Sequence, residues 1–252
     1  MRLFDSHCHL EEEAFDEDRE EVIRRAVQSG IVGMVTSPIY PEDVPKALSI
    51  RSEVVYVSIG LDVAEYGDED EVNRAIDLIL EHQDEIVAIG EVGLDYKVAR
   101  NGPPKERQKE VFRRFISLAK ELDKPLVIHS RWAQRPALRV LDEMGAETVI
   151  LHAFGGTPAD VDFAVERGWY VSVPTNVVRS SNVQKVARAT PLERMVLESD
   201  SPVLAPNPKE RNEPSNITLS VKYLADLKGV EPEELAEVTT KNALTAYRLR
   251  GS

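Results

Sequence analysis

Two histidines stand one residue apart in the stretch FDSHCHL, Phe4 to Leu10, which also holds the only cysteine of the chain. Three further histidines follow, and two of them, His129 and His152, sit like His7 and His9 toward the ends of apolar runs. The acids Glu91 and Asp200 occupy equivalent places, whereas His82 falls in an amphipathic segment. A single histidine near a strand end is usually a hydrogen-bonded structural residue; four histidines and two acids at matching positions point instead to metal binding. Neutral imidazoles and carboxylates suit zinc, manganese or iron, while calcium or magnesium alone favours sites richer in oxygen. Six donors exceed the three protein ligands that a catalytic zinc commonly takes. The set therefore predicts two divalent ions sharing a ligand, with Glu91 as the natural bridge. Two ions about 3.5–4 Å apart can bind one hydroxide and steady both the attacking and the leaving oxygen. Counted against Glu91 and Asp200 alone, such ions leave a net positive site that favours an anionic substrate.

These residues must be carried to one place by the elements between them. Eight apolar strand-like runs recur: LFDSHCHL, IVGMVTSPI, VVYVSIGL, IVAIGEVGL, PLVIHS, TVILHAF, YVSVP and RMVLESD. Between them lie segments of helical periodicity, among them 16–29, 69–82, 104–122 and 133–144, and a further helix is predicted over 232–249. Gly30 and Gly168 fall where helices should stop; Pro41, Pro104 and Pro158 suit first turns. Eight parallel strands buried on both faces read as a (β/α)8 TIM barrel with an additional C-terminal helix, one domain over residues 1–250. An open doubly wound sheet is the alternative, but no GxGxxG fingerprint is present. In a barrel every candidate ligand lies at the C-terminal mouth, where active sites are built. In a regular first strand Phe4, Ser6 and Cys8 share one face and Asp5, His7 and His9 the other. Both imidazoles then reach the metal while Cys8 packs behind them. Residues 202–214 carry four prolines and read as a long ordered loop.

The 252 residues are 42% hydrophobic and 30% charged, an ordinary composition for a soluble protein. A net charge of -13 argues against a broad basic nucleic-acid-coating surface, though not against a local cationic pocket. No membrane span or signal peptide is predicted, and a single cysteine points to the cytoplasm. No obligate protein partner is inferred. Gly251 and Ser252 read as an expression remnant.

Beyond the HxH pair, the chain carries IGEVGLDY at 89–96, QKEVFRRFISLAKELDKPLVIHSR at 108–131, HAFGG at 152–156, LESDSP at 197–202, RNEPSN at 211–216 and TTKNALTAYRL at 239–249. In this order they resemble the TatD family of metal-dependent deoxyribonucleases, within the amidohydrolase superfamily, nearly end to end. The resemblance implies that His7, His9 and Asp200 hold one metal, His129 and His152 the other, with Glu91 bridging. It further implies Asp200 as general base, two ions drawn from zinc, manganese or magnesium, DNA as substrate, and exonucleolytic cleavage by a metal-bound hydroxide. Asp95 reads equally as a support for a ligand or as a loop or helix cap. Arg131 and Arg211 are the cations best placed for a phosphate, or else they tie loops together through acids such as Glu213. Trp132 either stacks on a base or packs a loop. Two stretches depart from the family: GLDVAEY at 60–66 lacks a GxHPH-like histidine, and HSRWA puts Trp132 where an acid is usual. Both departures fall where substrate should lie. A small-molecule amidohydrolase, lactonase or phosphoesterase on the same binuclear site is therefore an alternative, and a non-catalytic metal-binding barrel is a third.

Overall fold

The computed structural model describes residues 1–249; Gly251 and Ser252, set aside above, lie outside them, as does Arg250. Strand and helix alternate throughout. The order is β1 (Leu3–Cys8), α1 (Arg19–Gln28), β2 (Ile31–Thr36), α2 (Val44–Ser49), β3 (Val55–Ile59), α3 (Glu69–Glu81), β4 (Ala88–Gly93), α4 (Lys105–Glu121) and β5 (Leu126–His129). It continues with α5 (Gln134–Glu143), β6 (Val149–Leu151), α6 (Pro158–Glu166), β7 (Tyr170–Pro174), α7 (Ser181–Ala189), β8 (Met195–Glu198), α8 (Ile217–Lys228) and α9 (Pro232–Ala246). All eight strands pair in parallel in sequence order. The ring closes between the ends of β1 and β8, where Asp200 N donates to His7 O at 2.9 Å and His9 N to Ser201 O at 2.8 Å. This is the (β/α)8 barrel that the alternation of apolar runs predicts. No helix among the described residues is long and apolar enough to cross a membrane.

Helix boundaries follow local chemistry. Asp68 caps α3 by accepting from Asp70 N at 2.9 Å, and Thr157 and Asp160 form a reciprocal capping box at the start of α6. Helix α8 ends on Gly229 in the left-handed region. Residues 202–213 form the ordered loop, organised by Asn212, whose buried amide donates to Ser199 O, Val203 O and Thr175 Oγ1 at 2.6–2.9 Å.

The core has an outer layer between strands and helices and an interior closed from below. Phe4, Val35, Ala88, Val127, Ile150 and Val196 meet from strands all around the ring, which is possible only inside the barrel. Helix α9 covers their lower end with Ala243, Ala246 and the following Tyr247, whose hydroxyl donates to Ser6 O at 2.6 Å. Strand β1 corrects the regular alternation expected for it. Phe4 belongs to the interior and Ser6 Oγ meets Ser172 Oγ of β7 across the barrel at 2.8 Å, whereas Cys8 packs in the outer layer. The register of β1 against β2 shifts between Asp5 and Cys8. An irregularity in pairing changes the phase of the side chains, so Ser6 and His7 both reach the interior. The expected separation of His7 and His9 from Cys8 holds, with Cys8 in the outer layer and both imidazoles at the mouth.

Close approach also fixes β4 between its neighbours. An added Cβ on Gly93, at φ +153°, would lie 2.0 Å from His129 O. Gly93→Ala should therefore cost more than about 2 kcal/mol through overpacking and backbone strain, read as a lower melting temperature. Gly67→Ala, whose new carbon meets only Pro103 Cγ at 3.6 Å, should change stability by less than about 1 kcal/mol. Equal melting of the two variants would show that β4 and β5 can part without cost.

Candidate metal centre

The strand ends bring His7, His9, Glu91, His129, His152 and Asp200 together at the barrel mouth. Three residues just past these strand ends are held in an uncommon backbone state. Asp200 lies two residues beyond β8 with φ +53°, and Trp132 and Ala153, directly after the segments carrying His129 and His152, have φ +58° and +39°. Left-handed non-glycine residues cluster where surrounding structure enforces a functional geometry.

His7 Nε2 lies 3.1 Å from His9 Nε2, 3.2 Å from Glu91 Oε2 and 3.7 Å from Asp200 Oδ1. His9 Nε2 is 3.5 Å from Asp200 Oδ1, and His152 Nε2 is 3.7 Å from both Glu91 Oε1 and Asp200 Oδ1. Two groups converge on a span that a single ion could fill: His7, His9 and Asp200, and His7, Glu91 and His152. His129 stands outside both. Its Nδ1 faces Glu91 Oε1 at 2.5 Å and its Nε2 faces Asp95 Oδ2 at 2.9 Å.

Outer groups aim these donors. Glu198 Oε2 lies 3.1 Å from His152 Nδ1 and its other oxygen accepts from Ala153 N at 2.8 Å. Glu11 Oε1 lies 3.4 Å from His9 Nδ1. Asp5 accepts from Ser199 Oγ at 2.6 Å, from Ser199 N at 2.9 Å and from His7 N at 3.2 Å, so it ties β1 to the segment that carries Asp200. Burial pushes Asp5 up to about 8 in spite of those hydrogen bonds. None of these three acids was singled out from the sequence, although an acid inside an apolar strand run is itself a signal. Asp95 fulfils both of its readings at once: one oxygen holds His129 and the other caps the turn at Lys97 N and Val98 N, at 2.9 and 3.0 Å.

Among the expected cations, Arg131 joins the site and Arg211 does not. Arg131 Nε and Nη2 bind Asp95 Oδ2 at 2.8 and 2.7 Å, and the side chain lines the cavities on both sides of the cluster. Arg211 instead ties the loop after β8 to the N-terminal segment through Asp18, at 2.8 and 2.6 Å, and Ala14 O, at 2.6 Å, above the ring of Phe15. Glu213, expected to partner such an arginine, pairs with Arg25 at 2.6 Å. Trp132 is 54% exposed, with the Arg100 guanidinium 4.8 Å over its ring.

The donor set fits divalent cations. Buried imidazole nitrogens and carboxylate oxygens face one another at 3.1–3.7 Å, and Nδ1 of His7 is buried without a hydrogen-bond partner. Burial, reinforced by His152 and His9, pushes His7 down toward the neutral form that ligates metal. For Glu91 burial acts upward, but His152, His129 and His7 outweigh it and hold the carboxyl well below its usual range. Asp200 is likewise lowered, against burial, by His152, His9 and His7. A cation would serve these carboxylates where protonated imidazoles do now. The charge balance differs from the one counted on Glu91 and Asp200 alone. With Glu11, Asp95 and Glu198 also in the shell and Arg131 opposing them, two divalent ions would bring the site near neutrality, so the pull on an anion must be local.

A family profile described as "TatD related DNase" matches residues 4–248. The chain is 38% identical to a human protein named deoxyribonuclease TATDN3 over 97% of this chain and 94% of that one. It is 35% identical to a Bacillus subtilis protein named as an uncharacterized metal-dependent hydrolase, YabD, over 98% and 99% of the two chains. The crystal structure of YJJV, a TatD homologue from Escherichia coli, shares the fold with a TM-score of 0.91 over 99% of both chains at 23% identity.

Two pKa shifts make the electrostatics testable. Burial would lower His129 and His152, but Glu91 and Asp95 for the former and Glu198, Glu91 and Asp200 for the latter raise them from 6.5 to about 9 and about 10. Protonation of these rings therefore stabilises the metal-free fold fully below pH 6.5, and that contribution is lost as pH rises through the folded values near 9 and 10. Chelated protein should melt at a lower temperature at pH 10 than at pH 6.5. Added divalent ion should raise the melting temperature most at the alkaline end, because ion and proton compete for the same nitrogens. A melting temperature of chelated protein that holds or rises across this window would contradict the assignment.

Proposed function

We propose, from the premise that this chain belongs to the TatD-related DNase family, that it hydrolyses phosphodiester bonds of DNA at the barrel mouth with two divalent ions. The observation that carries the reading is the convergence of four imidazoles and two carboxylates beside a half-exposed arginine, open to a cavity of about 570 Å3. His7, His9 and Asp200 would hold one ion, and His152, His129 and Glu91 the other, with Glu91 shared. Zinc or manganese suits the nitrogen-rich set best, with magnesium third. When bound, such ions supply Lewis acidity and lower the pKa of water. Residues 1–250 act as one domain, because α9 seals the interior that the ligand strands enclose. The exonucleolytic mode is supported by the family resemblance alone, and a cytoplasmic location by the lone cysteine, buried at Cys8.

The protein's own groups divide the remaining work. Asp200, ionised and adjoining both His9 and His152, accepts the proton of the water that attacks phosphorus, while the bond to the departing oxygen breaks. Glu198, Glu11 and Asp95 fix the imidazole orientations through their second nitrogens. Arg131, pinned by Asp95, offers a fixed guanidinium toward a phosphate oxygen. Arg211 acts as a tether.

Asp200→Asn keeps size and one carbonyl but removes the proton acceptor. Turnover should fall by at least about a hundredfold at saturating metal, with KM little changed. A metallated variant near the wild-type rate would move the base elsewhere. Arg131→Ala should raise KM with metal content intact, and Arg211→Ala should lower the melting temperature with KM unchanged. The reverse pattern would exchange their roles. Metal-loaded protein given labelled single-stranded DNA, esters, lactones and simple phosphate esters should prefer DNA; preference for a lactone or carboxylic ester would favour the small-molecule reading, which the altered GLDVAEY and HSRWA stretches motivate. Elemental analysis should give two ions per chain.

A further inference from the structure

The cavity of about 570 Å3 is lined by His152 and Asp200 of the cluster and, outside it, by Arg131, Trp132, Asn176 and Val203. Its volume lies within the range of small-ligand pockets, about 300–1,000 Å3. Three features of its wall are unexplained by metal binding or by folding. Trp132 and Val203 are large apolar side chains that stay 54% and 55% exposed beside one cavity. Scattered exposed apolar residues are ordinary, but two flanking a single concave site ask for an apolar occupant. Trp132 is also held in the left-handed region, fixed from both sides by Tyr96 N donating to Arg131 O and Ala133 N donating to Ser130 O, both at 3.0 Å. One face of its ring lies under the Arg100 guanidinium at 4.8 Å. Finally, Asn176 is only 8% exposed, yet its amide oxygen has no hydrogen-bond partner. A buried acceptor left unpaired is costly and invites a donor.

We propose that this cavity is a nucleobase subsite. Trp132 stacks on a base adjoining the scissile phosphate, Val203 extends the apolar wall, and the Asn176 amide oxygen accepts from the exocyclic amino group of the base. Every base has a π-face, so the stack tolerates sequence; the acceptor favours adenine, cytosine and guanine, which carry an amino group, over thymine. The inference rests on the phosphodiester reading above and adds to it a determinant of base contact.

The chain has two tryptophans, and Trp169 is buried with its indole N–H donating to Ala146 O at 3.2 Å. Emission that responds to a ligand at the mouth therefore reports Trp132. Deoxyadenylate or deoxycytidylate added to metal-loaded protein should quench it, and Trp132→Phe should abolish the quench while keeping Trp169 emission. On single-stranded oligonucleotides Trp132→Ala should raise KM about tenfold with kcat within about threefold, the loss expected of one base–aromatic stack. Trp132→Phe should recover most of that loss, and Asn176→Ala should flatten the preference against thymine. Cleavage by the wild type with no quench, and with the same KM in Trp132→Ala, overturns the subsite alone. Quenching by the nucleotides without cleavage of any oligonucleotide overturns the phosphodiester reading and leaves the base subsite standing.

Discussion

Buried carboxylates crowded around buried imidazoles, with too few fixed cations to balance them, are the constraint on which the rest of this protein turns. Removing a charge from water is expensive unless it is paired, hydrogen-bonded or bound to metal. At this mouth Glu11, Asp95, Glu198 and Asp200 are all buried, Glu91 nearly so, and among the described residues Arg131 is the one arginine that pairs with their carboxylates. Each acid faces an imidazole, and the pairs interlock so that moving one donor leaves another unpartnered. Such an arrangement holds its geometry only if the surrounding backbone cannot relax.

The barrel supplies that rigidity from several directions. Gly60 and Gly93 let β4 run so close to its neighbours that any side chain there would displace Glu91 or His129. Tyr66, within the GLDVAEY stretch, accepts from Gly93 N at 3.0 Å, so this stretch braces the end of β4 as well as walling the smaller cavity. Asp5 and Asn212 lock the segment around Asp200 from opposite sides through Ser199. Far below, Tyr247 of the C-terminal segment reaches Ser6 inside the barrel, linking the chain's end to the strand that carries both first histidines.

On the proposed reading, chemistry and selectivity fall on different parts of the fold. The candidate metal donors come from strand ends, which the hydrogen-bonded ring makes stiff. The walls of the larger cavity come from the segments just beyond them, where Trp132, Asn176 and Val203 stand. Those segments can change without moving a strand-borne donor, as loops on a barrel scaffold do. Arg131 belongs to both parts: Asp95 anchors it to the donor shell while its exposed half faces both cavities.

Periodicity in the sequence determined the eight strands, their order and the mouth as the place where the six candidate residues gather, because apolar runs alternating with helices are buried on both faces of a parallel sheet and eight regular repeats suit its closure into a ring. It also separated Cys8 from His7 and His9. Tertiary structure decided what alternation could not. The register shift in β1 sets Ser6 and His7 side by side in the interior, an arrangement that depends on pairing with β2 and is invisible in the strand itself. Asp5 and Glu198 stand out as acids inside apolar runs, but their roles depend on partners from other strands, and Glu11, just past the first run, has nothing in its local spacing to distinguish it from a solvated acid. Arg131 and Arg211 looked alike as loop cations. Only the folded chain set Asp95 beside the first and Asp18 beside the second, and an arginine's task is fixed by the carboxylate that reaches it.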